Sequence, residues 1–388
     1  MEAGENADAM IEPRLIILQP TSYCNINCSY CYLGRRDEKR LMAPKVVEAL
    51  CERIFSRLSR RLEPLVVWHA GEPTAAPIAW YEHAYSRLLD VAPPGTRFAM
   101  QSNGIAIDDK WIDLFRRTNT NVGLSIDGPQ RFHDARRRTR NDKPTWHLAV
   151  EALKRLQNSG FAPSVITVLH PDGLGCPEDY YAFYRRQGIT EVSFNVDELE
   201  GANKSSSLAG RHFKGAVTAF LLSILERAYR DSYPLHIREM ERIAQKLAGV
   251  ELSENEQVEP WAAIVVAVDG SISTFSPEFM EMHAPAYGNF AFGSIVDGSL
   301  EEAGRSPAFL RASREIAQGV EACRNSCRYF SVCGGGSPVN KLSEIGDMTA
   351  TETDFCRLTT QASSDALMTF IERRSNANSH FIGTAVLA

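Results

Sequence analysis

The sequence predicts an α/β protein built on a parallel sheet, and three observations carry that prediction. From about residue 14 to 200, short apolar runs alternate with amphipathic segments. The runs are rich in β-branched and aromatic residues, and Gly, Pro, Asn or Asp closes most of them. The chemically unusual residues fall just after those runs, at strand carboxyl ends, where α/β folds bind ligands. Six strand–helix units in series imply helical crossovers and parallel pairing. Six is short of the eight of a closed barrel, so the units form either a partial (β/α)6 barrel or a doubly wound sheet.

Taken in order, the strand-like runs are 15–18, 65–69, 97–101, 122–125, 164–169 and 191–195. The first helix is marked by Val46, Val47, Leu50, Ile54 and Leu58 at three-to-four-residue spacing. Further helical patterns cover 80–89, 110–117, 148–157 and 180–186. Residues 201–210 (GANKSSSLAG) read as a polar loop. Helices over 213–230 and 237–247 follow, separated by Pro234 as a breaker. From Trp261 the character changes to short strands: 264–268, a turn at Asp269-Gly270, then 271–275 as a hairpin partner. A last helix over 358–373 leads into a tail at 375–388. The expected division is a core over 10–205, a helical bridge over 206–255 and an α+β extension over 256–388.

Composition narrows the classes. Apolar content of 44% and charged content of 23% in 388 residues are ordinary for a globular chain. A net charge of −6 supplies no basic field for nucleic acid or an anionic membrane. Residues 1–10 lack the basic flank and apolar core of a signal peptide. No apolar run approaches the ~20 residues that cross a bilayer. The expected location is cytoplasmic, where nine cysteines are not a disulfide framework. Seven of them fall in two clusters with metal-site spacing. Of the other two, Cys51 shares a helical face with Val47, Ile54 and Leu58 and reads as core, and Cys176 stands alone. The basic runs, Arg136-Arg137-Arg138 among them, read as solvated surface or as contacts to acidic groups of a substrate.

The strongest motif is Cys24-Asn25-Ile26-Asn27-Cys28-Ser29-Tyr30-Cys31, a C-x3-C-x2-C array directly after the first strand. Three thiolates are one too few to close an iron–sulfur cube, which leaves one iron open to a small molecule. A zinc site is the alternative, but no fourth Cys or His lies within the loop. The second strand ends in Trp68-His69-Ala70-Gly71-Glu72-Pro73, where backbone carbonyls and one carboxylate suit a ligand's ammonium group. The third ends in Gln101-Ser102-Asn103-Gly104 and the fourth in Ser125-Ile126-Asp127-Gly128-Pro129. His69, His133 and His170, near strand ends, read as hydrogen-bonded structural residues. Asp197 and Glu198 after the sixth strand read as substrate-positioning groups or helix caps.

Through CNINCSYC after a first strand, the chain resembles the radical S-adenosylmethionine (SAM) superfamily. The resemblance implies a partial (β/α)6 radical SAM barrel with a [4Fe-4S] cluster on Cys24, Cys28 and Cys31. The open iron would chelate S-adenosylmethionine, whose reductive cleavage yields a 5′-deoxyadenosyl radical that abstracts hydrogen. An external one-electron reductant is implied. Tyr30 would lie near the adenine. The second-strand turn resembles the family's GGEP motif, with Ala70 in place of the first Gly and Gly71, Glu72 and Pro73 retained. By the same resemblance Asn103, Ser125 and Asp127 would face the cofactor's ribose and carboxylate, and Arg136 would neutralise its methionine carboxylate.

The C-terminal set, Cys323, Cys327, Cys333 with CGGGSP, and Cys356, resembles the SPASM/twitch extension of radical enzymes that modify peptides. The full pattern carries two auxiliary clusters. Here Phe275-Ser276 and Ser337 stand where cysteines are expected, and the cysteines retained are those of the outer cluster. The resemblance implies one fully liganded auxiliary [4Fe-4S] cluster suited to electron transfer; four cysteines also suit zinc. Leu18-Gln19-Pro20-Thr21, Thr274-Phe275-Ser276-Pro277-Glu278, CGGGSPVNKL with Glu344, and TETDFC narrow the likeness to maturases that install cyclophane crosslinks, including the GRRM-type and three-residue-cyclophane groups. The expected reaction joins a side-chain Cβ of a ribosomal precursor peptide to an aromatic ring, with Glu278 as the candidate base. No separate leader-binding domain precedes Cys24, so the core or a partner would recognise the peptide. Alternatives are formylglycine or thioether formation, and a non-enzymatic iron–sulfur electron carrier.

Overall fold

The computed structural model describes residues 12–250 and 255–385, with side chains as far as residue 375. The signal-peptide reading of residues 1–10 therefore lies outside the described residues. In order, the core elements are β1 (Leu15–Leu18), α1 (Pro44–Arg53), β2 (Leu65–Trp68), α2 (Ile78–Val91), β3 (Arg97–Ser102), α3 (Asp109–Arg117), β4 (Thr120–Ser125), α4 (Gln130–Asp134), α5 (Trp146–Asn158), β5 (Ser164–Leu169), α6 (Pro171–Leu174), α7 (Pro177–Gln187) and β6 (Glu191–Val196). Then come α8 (Phe213–Arg230), β7 (His236–Ile237), α9 (Arg238–Leu247), β8 (Ala263–Val266), β9 (Ser271–Thr274) and β10 (Gly293–Ser294). The chain ends with α10 (Leu300–Gly304), α11 (Pro307–Ser326), α12 (Phe330–Cys333), α13 (Pro338–Ile345), α14 (Asp354–Cys356) and α15 (Ala362–Ala385).

Strands β1 to β6 lie side by side in sequence order, all parallel. A doubly wound sheet would reverse direction at a switch point; this one does not, so the partial barrel is the correct solution. Burial alternates along the strands as the two-residue period requires. Ile16, Leu18, Val66, Trp68, Phe98, Met100, Val122 and Leu124 join the main core. Their neighbours Val67, Gln101, Ser125 and Asn195 are only partly buried, on the opposite face. Helix ends follow local chemistry. The Asp108 side chain accepts from the amides of Lys110 and Trp111 at 3.0 and 3.1 Å to open α3, and Arg116 and Arg117 fill its last turn.

Four strands extend the sheet beyond the six expected. β7, only two residues long, follows Pro234 and pairs parallel with β6; so short a run carries no periodic signal. β8 pairs parallel with β1, Leu15 opposite Ala263 through Leu18 opposite Val266. The expected hairpin β8–β9 exists, but it continues the core sheet, and β10 adds antiparallel to β9. A second core lies beyond it, built from Phe275, Phe279, Tyr287, Phe290, Phe292, Phe309, Ile316, Val339 and Met348. The expected tail is corrected as well: helix α15 runs to Ala385, because residues 375–385 contain no proline to stop it. Residues 386–388 lie outside the described chain. No helix among the described residues is long and apolar enough to cross a membrane.

Candidate functional site

The cysteine loop is pinned by main-chain bonds to the segment after β4. Asn27 N donates to Arg138 O at 2.7 Å, Ser29 N to Arg136 O at 3.1 Å, and Cys24 N to Arg36 O at 2.9 Å. Arg36 ties Asn27 Oδ1, Cys31 O and Leu33 O, and Arg140 Nε reaches Cys24 O at 2.8 Å. The basic run 136–138 is thus the seat of the loop rather than free surface, and its three arginines differ sharply. Arg138 faces Asp142. Arg136, expected to meet the cofactor's carboxylate, donates to Asp172 at 2.8 Å. Arg137 is the one turned inward: it pairs with Asp127 at 2.9 Å, both side chains at most 8% exposed, and its Nη1 lies 3.8 Å from Cys28 Sγ. Periodicity gave no means of choosing Arg137 from this run; Asp127 ten residues earlier was the available hint.

Asp127 also accepts from Tyr30 Oη at 2.6 Å and Val168 N at 3.1 Å. Burial raises its affinity for a proton, yet Arg137 and His133 outweigh that and hold the carboxyl below the ordinary range. Tyr30 lies under the Arg137 guanidinium and 5.1 Å from the His170 ring, and burial pushes its hydroxyl well above the usual phenol. His170 itself sits beside Ser207, at 3.2 Å, and Asp197, at 3.6 Å. Burial, then the Arg136 charge, lowers its pKa to about 4, so it is neutral.

The β2 turn closes on the same loop. Ala70 and Gly71 both take left-handed conformations, φ +67° and +55°, and Glu72 N donates to Tyr23 O at 2.7 Å. Glu72 is 2% exposed, and its carboxylate is satisfied within the protein. Oε1 accepts from Thr74 N, Thr74 Oγ1 and Ser102 Oγ, and Oε2 from Asn103 N at 2.8 Å. Expected as a ligand contact, Glu72 here straps the β2 turn, with its carbonyls, to the β3 turn. Pro73 opens the short helix Pro73–Ala75. Asn103 Nδ2 then reaches Asn25 Oδ1 at 2.7 Å and Cys24 Sγ at 3.9 Å, while Ser125 accepts from Gln101 Nε2 at 2.9 Å. Tyr30, Ala70, Gly71, Glu72, Pro73, Asn103 and Asp127 therefore gather around the cysteine loop, and Ser125 lines the open face of the sheet.

An acidic group unforeseen as a unit stands at the same rim. Glu278 accepts a bond from the hydroxyl of Ser276, which stands where the SPASM resemblance implies a cysteine. Glu198, Glu200 and Tyr32 surround it electrostatically. Burial, then the charges of Glu278 and Glu344 against one bond from Asn340, pushes Glu198 up to about 8. Burial raises Glu278 as well, and it raises Glu200 strongly with help from Glu198 and Glu278.

The second cysteine set lies on α11 and just past its end, at the end of α12 and at the end of α14. Cys323 and Cys356 are buried, Cys327 and Cys333 partly so. Glu344 accepts from the amides of Asp354 and Phe355, and Thr353 Oγ1 from Cys356 N at 3.0 Å, which fixes the turn that delivers Cys356. Lys341 Nζ lies 3.4 Å and Gln361 Nε2 3.8 Å from the sulfurs of Cys323 and Cys356. Ser337, where another cysteine is expected, is buried with its hydroxyl unpartnered. Cys51 packs in the core as expected.

Among the described residues no three Cys, His, Asp or Glu side chains are gathered tightly enough for a single metal ion. Both sets nevertheless fit iron–sulfur clusters, whose cysteine sulfurs stand wider apart than the ligands of one ion. Each is all-thiol, each feels its own members' charges, and each has N–H donors aimed at sulfur. Burial pushes Cys24 and Cys356 up to about 12 and Cys28 to about 11, so loading iron displaces protons.

The Radical SAM superfamily model matches residues 18–199, from the last residue of β1 past β6. A Synechocystis protein described as uncharacterized is 33% identical over 365 residues, 92% of each chain. The chain belongs to the radical SAM superfamily. It is a radical SAM enzyme, using S-adenosylmethionine and a [4Fe-4S] cluster. The serine-type anaerobic sulfatase-maturating enzyme of Bacteroides thetaiotaomicron is 26% identical over 226 residues, 55% of this chain and 54% of that enzyme. The solved structure of anSMEcpe with bound AdoMet and the Cp18Cys peptide has a TM-score of 0.73 at 18% identity, covering 94% of this chain and 99% of that one. That match establishes likeness of fold.

Proposed function

We propose that this radical SAM enzyme modifies a ribosomally made precursor peptide by joining an aromatic ring to a nearby side-chain Cβ, forming a cyclophane. One observation carries the reading: the open three-thiol loop at the strand rim is accompanied by a single further set, the four thiols Cys323, Cys327, Cys333 and Cys356. All nine cysteines are described, and Cys51 and Cys176 belong to neither set. A three-cysteine cluster that binds S-adenosylmethionine supplies a 5′-deoxyadenosyl radical when loaded and reduced. The chain's own residues then have defined tasks. Cys24, Cys28 and Cys31 hold the cluster, and Asn103, Arg137 and the Glu72 strap hold the loop and its sulfurs. The carbonyls at Ala70 and Gly71 and the groups at Ser125 and Arg136 receive the cofactor's polar ends.

The balance of the crosslink assigns the rest. A Cβ–H hydrogen leaves as an atom to the adenosyl radical, and the carbon adds to the ring. Rearomatisation then releases one proton and one electron, so the peptide loses two hydrogens per crosslink. In this reading Glu278 takes the proton: burial raises its affinity for one, and it is hydrogen-bonded to Ser276. Cys323, Cys327, Cys333 and Cys356 would hold an auxiliary [4Fe-4S] cluster, which would supply an acceptor for the electron. The sulfatase-maturating relative favours a second reading, formylglycine formation, which also removes two hydrogens from a serine. Coexpression with a short peptide encoded beside this chain, followed by tandem mass spectrometry, separates them. The expected product is two hydrogens lighter, resists fragmentation between the joined residues and does not react with a hydrazide. An unchanged mass overturns the proposal, and a hydrazide-reactive aldehyde selects formylglycine.

A further inference from the structure

The two cysteine sets differ in one respect that their ligands do not reveal: how the buried cation beside each is compensated. At the first set, the Arg137 guanidinium near Cys28 is locked to Asp127 at 2.9 Å. The pair is neutral together. Arg36 and Arg140, both partly exposed, bond loop carbonyls, and Arg36 adds a smaller pull on Cys28. At the second set, Lys341 is 3% exposed. Its Nζ donates to Cys323 Sγ at 3.4 Å and Gly319 O at 3.2 Å. Among the described residues no carboxylate lies within ion-pair distance of it, and the exposed Asp347 acts only at longer range.

The fold makes room for this arrangement. Gly319 lies inside α11, and a Cβ there would stand 3.1 Å from Lys341 Nζ and 2.2 Å from Met348 O. The side chain so admitted comes from α13, where Lys341 N donates to Ser337 O at 3.1 Å. A buried ammonium without an anion is costly. Here the only anions that can answer it at contact distance are the cysteine sulfurs.

We infer that Lys341 is the charge that raises the auxiliary cluster's potential and so fits it to accept the electron that the crosslink releases. Reduction adds one negative charge to the cluster, and an uncompensated cation 3.4 Å from a ligand sulfur favours that state in a low-dielectric site. Arg137 also favours the charged form of Cys28, but Asp127 works against it there, so the first cluster keeps only part of such help. The inference rests on the ligand set assigned above. Lys341 acts through Cys323, as a positioning charge.

The test is an EPR-monitored potentiometric titration of full-length, anaerobically reconstituted protein. Cys24, Cys28 and Cys31 are replaced by Ala so that only the second cluster reports. Lys341→Gln should disfavour reduction at least tenfold, a downward shift of about 59 mV for one electron. Lys341→Arg, which keeps the charge, should stay within a third of that. An unchanged midpoint in Lys341→Gln, or equal shifts in both variants, overturns the inference. Loss of iron from both variants also overturns it, in favour of a packing role. Failure of the Lys341-intact background to hold about four irons sinks the ligand set itself, whereas an unchanged midpoint with iron retained sinks only the role of Lys341.

Discussion

Replacing Asp127 by Asn tests the buried network that anchors the cysteine loop. Asp127 and Arg137 are 1% and 8% exposed at the side chain, and their contact is 2.9 Å. Asn retains one oxygen for Val168 N or Tyr30 Oη but cannot neutralise the guanidinium. Breaking a buried pair by removing one partner costs about 3–5 kcal/mol. The retained acceptor puts Asp127→Asn near the lower end, about 3 kcal/mol. Adding Arg137→Met removes the stranded charge and should recover most of the loss, leaving the double variant within about 1–2 kcal/mol of the parent. Urea denaturation of the reduced apoprotein, followed by circular dichroism, measures all three. The pH dependence adds a check. The Asp127 carboxyl is held below its ordinary range, so its stabilisation is present above that range and lost as pH falls through the folded value. The gap between parent and Asp127→Asn should therefore close below about pH 4. A single-variant loss under about 1 kcal/mol, or a double variant no better than the single, would refute the reasoning.

Further outcomes follow from the turn and the acidic rim. Ala70→Gly removes left-handed strain of about 1 kcal/mol, partly offset by the freer unfolded chain, so a net gain of about 0.5 kcal/mol is expected from the same denaturation assay. Gly71→Ala should do the opposite: its Cβ would meet Thr21 O at 2.5 Å and Tyr23 O at 2.6 Å, and the loss should exceed about 2 kcal/mol. Glu198 is raised from 4.5 to about 8 on folding, so the unfolded chain ionises first and stability falls as pH rises through that window. Glu198→Gln should lack this slope and be more stable than the parent at pH 8 by thermal melting. Equal slopes in the two proteins would show that Glu198 is not held neutral by its surroundings.

Much of the barrel was legible because β-branched runs and amphipathic helices carry strong periods. The strand 164–169 and the helix 213–230 stand where the pattern put them. β7 was missed because two residues have no period, and the partner of β8 because register between distant segments leaves no local mark. The cysteine sets were legible from spacing alone. What could not be read was how neighbouring charges divide their work. Arg136, Arg137 and Arg138 are identical as letters, yet only Arg137 is buried against Asp127 and Cys28. Glu72 reads as a ligand group but spends its carboxylate on Thr74, Ser102 and Asn103. Nothing in the CGGGSPVNKL run marks Lys341 as buried, yet it donates to Gly319 O and Cys323 Sγ.

The central claim is that hydrogen is taken from a peptide side-chain Cβ by a radical made at Cys24, Cys28 and Cys31. Its most direct test uses the neighbouring-frame peptide with deuterium at Cβ of the residue that joins the ring, incubated with reconstituted enzyme, S-adenosylmethionine and reductant. The account predicts one deuterium in each 5′-deoxyadenosine released during crosslinking, and no release from Cys28→Ala. Crosslinked product with unlabelled 5′-deoxyadenosine, or undiminished release from Cys28→Ala, would contradict it.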